Sequence, residues 1–339
     1  MNRANRFPLV VSAGLLLTAF TTSAGRGGVP AQRFSPAAGP HAVETLSADW
    51  HDRARDRDVP VKCYFPKSGA GPFPVIVFSH GLGGTREGYE YLGRHWASHG
   101  YVSVHLQHQG SDEAVWRGNP RPMEAMRQAV KNPTVSLNRP ADVRFAIDQL
   151  ERINRESGPL AGRLDLARLG MAGHSFGAWT TLAVAGQVFV LPGGREYSVA
   201  DPRIKAAIPM SAPVPRDRTK LDRAFGAIKI PCFHMTGTLD DSPIGDTVAR
   251  ERRLPFDHMR GPDTYLVTFT GGDHMIFSGH KRLRAGSGVR DSVFHALIRM
   301  ATTALWDAYL KSDPAAKAFL ADGAFEKQLG KDGTFEKKK

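Results

Sequence analysis

Apolar residues follow two rhythms along this chain. Residues 74–79 (PVIVFS) form an almost unbroken apolar run, as a strand buried on both faces requires. Shorter runs at 101–106, 169–174, 204–210, 228–235 and 264–269 repeat that strand signature. Between them lie stretches with helical spacing, at 87–99, 178–186 and 293–310. The best of these is 140–154, where Val143, Ile147, Leu150 and Ile153 share one face. Such alternation predicts an α/β fold, a mostly parallel sheet with helices on both faces. Two stretches interrupt it, 110–138 and 189–202. The first sets Trp116, Met123 and Met126 among prolines and arginines, as a lid, a pocket lining or a plain surface loop would.

The ends of the chain read differently. Residues 1–24 run from a basic start (MNRANR) through an apolar segment, 7–20, to small residues, the order of a secretory signal with cleavage after Ala24. At 14 residues the apolar segment is too short to span a bilayer comfortably. Residues 25–45 are rich in Gly, Pro, Ala and Ser and read as a linker. The folded domain is expected over 46–312, followed by a flexible basic tail over 313–339. The reading is therefore a secreted or periplasmic protein without an integral membrane span.

Composition adds exclusions. With 339 residues, 41% apolar and 23% charged, the chain has material for a sizeable core and is not disordered throughout. Its net charge of +12 is spread along the sequence with no aromatic-interleaved basic stripe, which argues against nucleic acid. A weak association with anionic surfaces is compatible with that charge. Cys63 and Cys232 both sit in strand-like runs, where buried free thiols are the commoner state. No H-E-x-x-H or paired C-x-x-C occurs, and His105 and His108 would not share a helical face. Neither a metal nor another cofactor is expected.

The chemistry concentrates in three places. Gly173-His174-Ser175-Phe176-Gly177 is a G-x-S-x-G pentapeptide between a strand and a helix, the setting of a nucleophile elbow. A serine hydroxyl needs a base, and in this setting the acid and then the histidine follow in the chain. His274, in a glycine-containing loop after a strand, is the candidate base, ahead of His234, His258, His280 and His295. Asp240 and Asp241 both follow the preceding strand. The spacing from Gly237 favours Asp240, and Asp273 is a weak third. A tetrahedral oxyanion needs two backbone donors. The candidates are the N–H of Phe176 and that of Leu82, in the glycine-rich loop His80-Gly81-Leu82-Gly83-Gly84.

FSHGLGG at 78–84, GHSFGA at 173–178, GTLDDSP at 237–243 and GGDHMIF at 271–277 together resemble the α/β-hydrolase superfamily. Within it the chain looks most like the branch of plasma-type platelet-activating-factor acetylhydrolase and dienelactone-hydrolase-like exported proteins. The resemblance implies the α/β-hydrolase fold, a mostly parallel central sheet of about eight strands, with Ser175 as nucleophile, Asp240 as acid, His274 as base, and Leu82 and Phe176 as oxyanion donors. It also implies hydrolysis of small-molecule or lipid carboxylic esters through an acyl-serine, without cofactor. Dienelactone hydrolases carry a cysteine where this chain has Ser175, which counts against a lactone substrate. A non-catalytic binding protein on the same fold, and an amide or polyester hydrolase, are the competing readings.

Overall fold

The computed structural model describes residues 34–261, 263–279 and 288–338, together with Met1. The expected leader, 1–24, otherwise lies outside the described residues. The chain enters the sheet through β1 (Val43–Asp52), β2 (Arg57–Pro66), β3 (Phe73–Ser79) and β4 (Val102–Leu106). It continues through β5 (Leu164–His174), a separate small hairpin of β6 (Val188–Val190) and β7 (Glu196–Ser198), and β8 (Ile204–Met210). The last strands are β9 (Cys232–Leu239), β10 (Thr264–Asp273) and β11 (Gly333–Lys338). Nine of these make one sheet in the order β1-β2-β4-β3-β5-β8-β9-β10-β11. The pairings from β4 to β10 are parallel, and the edge pairings β1–β2, β2–β4 and β10–β11 are antiparallel.

Strand alternation explains the two layers of helix. On β3, Ile76 and Phe78 join a buried cluster with Trp96 from α1 (Glu90–Ser98) and Trp306 from α7 (Asp291–Leu310). Val75 and Val77, on the opposite face, pack with Val143, Ile147 and Leu150 from α3 (Pro133–Arg155). The helices α4 (Phe176–Ala185) and α5 (Leu221–Phe225) form a third cluster around Leu182 and Phe225. A strand with partners on both faces has no place for alternating polar residues, hence the unbroken apolar run. This mostly parallel, doubly covered sheet is the α/β-hydrolase fold.

The main sheet has nine strands, in keeping with the expected mostly parallel sheet of about eight, and β11 adds an edge. Other expectations need correction. The segment 313–339 is not a loose tail: it forms α8 (Pro314–Ala321), α9 (Ala324–Leu329) and β11, up to the last described residue, Lys338. Phe319, Leu320, Phe325 and Leu329 are buried there, and burial of that size offsets the ordering of a lysine-rich segment. The linker also ends early, since Phe34 is buried against Phe319 (ring centroids 4.6 Å apart) and β1 begins at Val43.

The interruption at 110–138 is partly helical. It contains α2 (Pro122–Lys131), and α3 starts at Pro133 and runs through Pro140 instead of beginning there. The Asn132 side chain accepts from Thr134 N at 2.9 Å and caps that early start. Cys63 and Cys232 are buried free thiols on β2 and β9, far apart in the sheet order. Among the described residues, no helix is long and apolar enough to cross a membrane.

Candidate active site

Ser175 occupies the turn between β5 and α4 with φ 55° and ψ −115°, a strained backbone conformation for a non-glycine residue. The two glycines of the pentapeptide are required by close approach. A Cβ on Gly177 would lie 1.9 Å from the Ser79 carbonyl oxygen, and one on Gly173 would lie 2.4 Å from the Gly177 carbonyl oxygen. Nothing larger fits between the elbow and the end of β3.

The structure brings three of the sequence candidates together. Ser175 Oγ lies 3.0 Å from His274 Nε2, and His274 Nδ1 lies 2.7 Å from Asp240 Oδ1. With Nδ1–H donating to the carboxylate, Nε2 presents its lone pair to the serine hydroxyl. Asp240 is fully buried and also accepts from Ser211 Oγ at 2.6 Å and Thr236 Oγ1 at 2.8 Å. The buried Arg252 stands beside it: Nε is 3.5 Å from Asp240 Oδ1 and donates to the Asp240 carbonyl at 3.0 Å. Its Nη2 lies 3.3 Å from His274 Nδ1.

The other candidates lie elsewhere. Asp241 is exposed and accepts from Ala249 N at 2.8 Å, and Asp273 accepts from Met275 N at 2.9 Å. His234 is buried against Met259, His258 pairs with Asp222, and His295 stacks on Tyr91. His280 lies outside the described residues. His105 contacts the Gly88 carbonyl, whereas His108 bonds Asp142 and Ser79, so the two do not converge.

The proposed donors flank the serine. Phe176 is the first residue of α4, where backbone N–H groups have no helical acceptor. Leu82 lines both cavities that reach Ser175. Gly81 holds its loop close, since a Cβ there would lie 3.4 Å from Ser175 Cβ. Among the described residues, neither the Leu82 nor the Phe176 N–H has a hydrogen-bond acceptor. Tyr89 supports the loop, accepting from Gly81 N at 3.3 Å and bonding His174 Nδ1 at 2.8 Å.

Two cavities reach Ser175. The larger, about 480 Å³, is lined by His274, Trp116, Met123, Met126 and Met275. The smaller, about 250 Å³, is lined by Phe176, Trp179, Val130 and Pro213. Leu82, Ser175, Pro243 and Ile244 belong to both walls. The 110–138 stretch therefore lines both cavities, chiefly the larger, and is tied down by Trp116 Nε1 donating to the Gly83 carbonyl at 2.8 Å. Sequence reasoning missed Arg252, Ser211, Tyr89 and the buried Arg139. None carries a local signal, because an isolated arginine or tyrosine reads as surface until the fold encloses it.

The sequence model of the family described as platelet-activating factor acetylhydrolase, isoform II, matches residues 55–131. A platelet-activating factor acetylhydrolase of Cavia porcellus is 27% identical over 150 residues, covering 37% of this chain and 34% of that protein. Cutinase 2 of Thermobifida cellulosilytica is 24% identical over 179 residues, 52% of this chain and 51% of that protein. Cutinase cut1 of Thermobifida fusca is 24% identical over 179 residues, 52% of this chain and 42% of that protein. The chain thus spans about a third to a half of the length of these relatives. In fold and in sequence it resembles the α/β-hydrolase serine esterases, an acetylhydrolase and cutinases among them.

Proposed function

We propose that this protein is an exported serine hydrolase that cleaves carboxylic esters through an acyl-serine intermediate. The observation that carries the reading is the continuous relay Ser175 Oγ–His274 Nε2 and His274 Nδ1–Asp240 Oδ1 beside two N–H groups without acceptors among the described residues. Ser175 Oγ attacks the ester carbonyl carbon while its proton passes to His274 Nε2. Negative charge moves onto the carbonyl oxygen, between the N–H groups of Leu82 and Phe176. Asp240 holds the imidazole tautomer and stabilises the imidazolium that forms. His274 then returns the proton to the leaving alkoxide as the carbon–oxygen bond breaks. A water, deprotonated by the same nitrogen, releases the acid and restores Ser175.

Geometry orients the ester. The leaving oxygen must face His274, which lines the larger cavity, so the alcohol moiety belongs there. The acyl group then extends past Phe176 and Trp179 into the smaller, apolar one. Export rests on the character of residues 1–24.

The test is hydrolysis of p-nitrophenyl esters from acetyl to palmitoyl by the mature protein, with Ser175→Ala as control. The expected result is a rate that falls as the acyl chain outgrows the smaller cavity, and that drops on the order of 10⁶-fold in the variant. A preference for long chains would reverse the assignment of the cavities. Turnover surviving in Ser175→Ala would remove the acyl-serine reading altogether.

A further inference from the structure

Arg139 lies outside the relay, yet it is fully buried at the heart of the site. It sits on α3, and every hydrogen bond it makes among the described residues goes to a neutral oxygen. Nε donates to Thr180 Oγ1 at 2.9 Å, Nη1 to Ser111 Oγ at 2.7 Å, and Nη2 both to Ser79 Oγ at 2.9 Å and to the His80 carbonyl. The buried carboxylate one turn further along the helix, Asp142, is held instead by Arg55, Arg57 and His108.

Three of these four contacts lead to an oxyanion donor. The His80 carbonyl begins the loop that carries Leu82. On the far side of Leu82, Gly83 N donates to the carbonyl of Ser111, the residue whose hydroxyl Arg139 also holds. Across the site, Thr180 Oγ1 passes a hydrogen bond to the Phe176 carbonyl at 3.0 Å. The guanidinium carbon itself lies 4.5 Å from the centroid of the Phe176 ring. One rigid planar cation therefore spans the backbone on both sides of Ser175.

We propose that Arg139 is a positioning residue for the oxyanion site: it sets the separation of the Leu82 and Phe176 N–H groups and places a positive charge behind them. The inference rests on the esterase reading above. A buried cation without a contacting carboxylate is costly, and here four hydrogen bonds and an aromatic face offset that cost. Burial pushes its pKa down to about 9, which leaves it charged at neutral pH. Its acceptors are neutral, Asp142 and Asp112 act on it through space without hydrogen-bonding it, and a low-dielectric interior carries the remaining field to the developing oxyanion. Lysine cannot replace it, since an ammonium lacks the planar fork that reaches Thr180, Ser111 and His80 together.

The test compares Arg139→Lys and Arg139→Met with the unaltered protein, expressing turnover per active site titrated with a fluorophosphonate. The expected result is a kcat per site lower by roughly 10- to 100-fold with KM nearly unchanged. Affinity for a trifluoromethyl ketone, which forms an oxyanion on Ser175, should weaken in parallel. Fewer titratable sites, each with unaltered kcat, would mean a purely structural role and would overturn the proposal. Should neither variant fold, Ser111→Ala and Thr180→Val each remove one Arg139 contact. A per-site loss of roughly three- to tenfold is then expected, and unchanged kcat in both again overturns it. Ser175→Ala in the same assay separates the two levels. If it retains turnover, the esterase reading fails; if it is inactive while the Arg139 variants turn over normally per site, only this inference fails.

Discussion

Asp240 and Asp241 are neighbours in the chain, yet the fold gives them opposite surroundings. Asp240, at the end of β9, is enclosed by Ser211, Thr236, His274 and Arg252, whose donors satisfy both of its oxygens. Asp241 faces solvent and spends its carboxylate on the Ala249 N–H. Replacing Asp240 by Asn keeps the shape but offers His274 an amide that no longer selects the productive tautomer. A fall in kcat of roughly 10³–10⁴-fold is expected, with little change in the circular dichroism spectrum. Asp241→Asn still accepts from Ala249 and should stay within about twofold of the unaltered rate. Equal effects at the two positions would reassign the acid. The spacing from Gly237 favoured Asp240 in the sequence, but only the enclosing hydroxyls and Arg252 give the physical reason. Those partners come from β8's end, β9 and the segment near 252, which share no motif.

At the scale of elements, the C-terminal segment carries the clearest discrepancy. Residues 313–339 look like a solvated tail because lysines and glycines dilute their apolar positions. Phe319 and Leu320 on α8, with Phe325 and Leu329 on α9, are nonetheless buried in the cluster that holds Trp96 and Trp306. β11 then pairs antiparallel with β10, Phe335 lying opposite Val267. β10 leads directly into His274, so the added edge strand buttresses the strand that carries the candidate base. Phe325→Ala should cost about 3–5 kcal/mol of stability, measured as a lowered urea midpoint. A loss below about 1 kcal/mol would mean that the segment contributes nothing to the core. By contrast β3, β5 and β8 were plain from their apolar runs, since a strand buried on both faces leaves no alternative reading.

For the molecule as a whole, buried histidines set the acid limit. Burial holds His95 and His234 down to about 3, and His105 and His108 down to about 4. His80 is also held well below its ordinary value, by burial and by the charge of Arg139. All five stay neutral in the folded protein at pH values where the unfolded chain takes up protons. Their folded-state pKa values are depressed, so stability is complete above the unfolded value of about 6.5 and is lost as pH falls towards 3–4. Thermal midpoints should therefore fall steadily from pH 7 to pH 5 at constant ionic strength. A flat profile over that interval would show that these side chains are protonated, or exposed, in the native state. The net charge of +12 acts in the same direction, since further protonation adds to self-repulsion.

By itself the sequence determined the alternation of strands and helices, the turn at Ser175, the glycine loop at Leu82, and the chain order of the candidate acid and base. These are properties of short segments: periodicity decides burial, and turn chemistry decides where a hydroxyl or an imidazole is presented. Tertiary structure alone decided the enclosure of Asp240, the two cavities, the ninth strand and the clamp formed by Arg139. Arg139 stands 59 residues from the carbonyl it holds. Contacts across such separations depend on how whole elements pack, and a lone arginine on an amphipathic helix shows no local sign that the sheet will close over it.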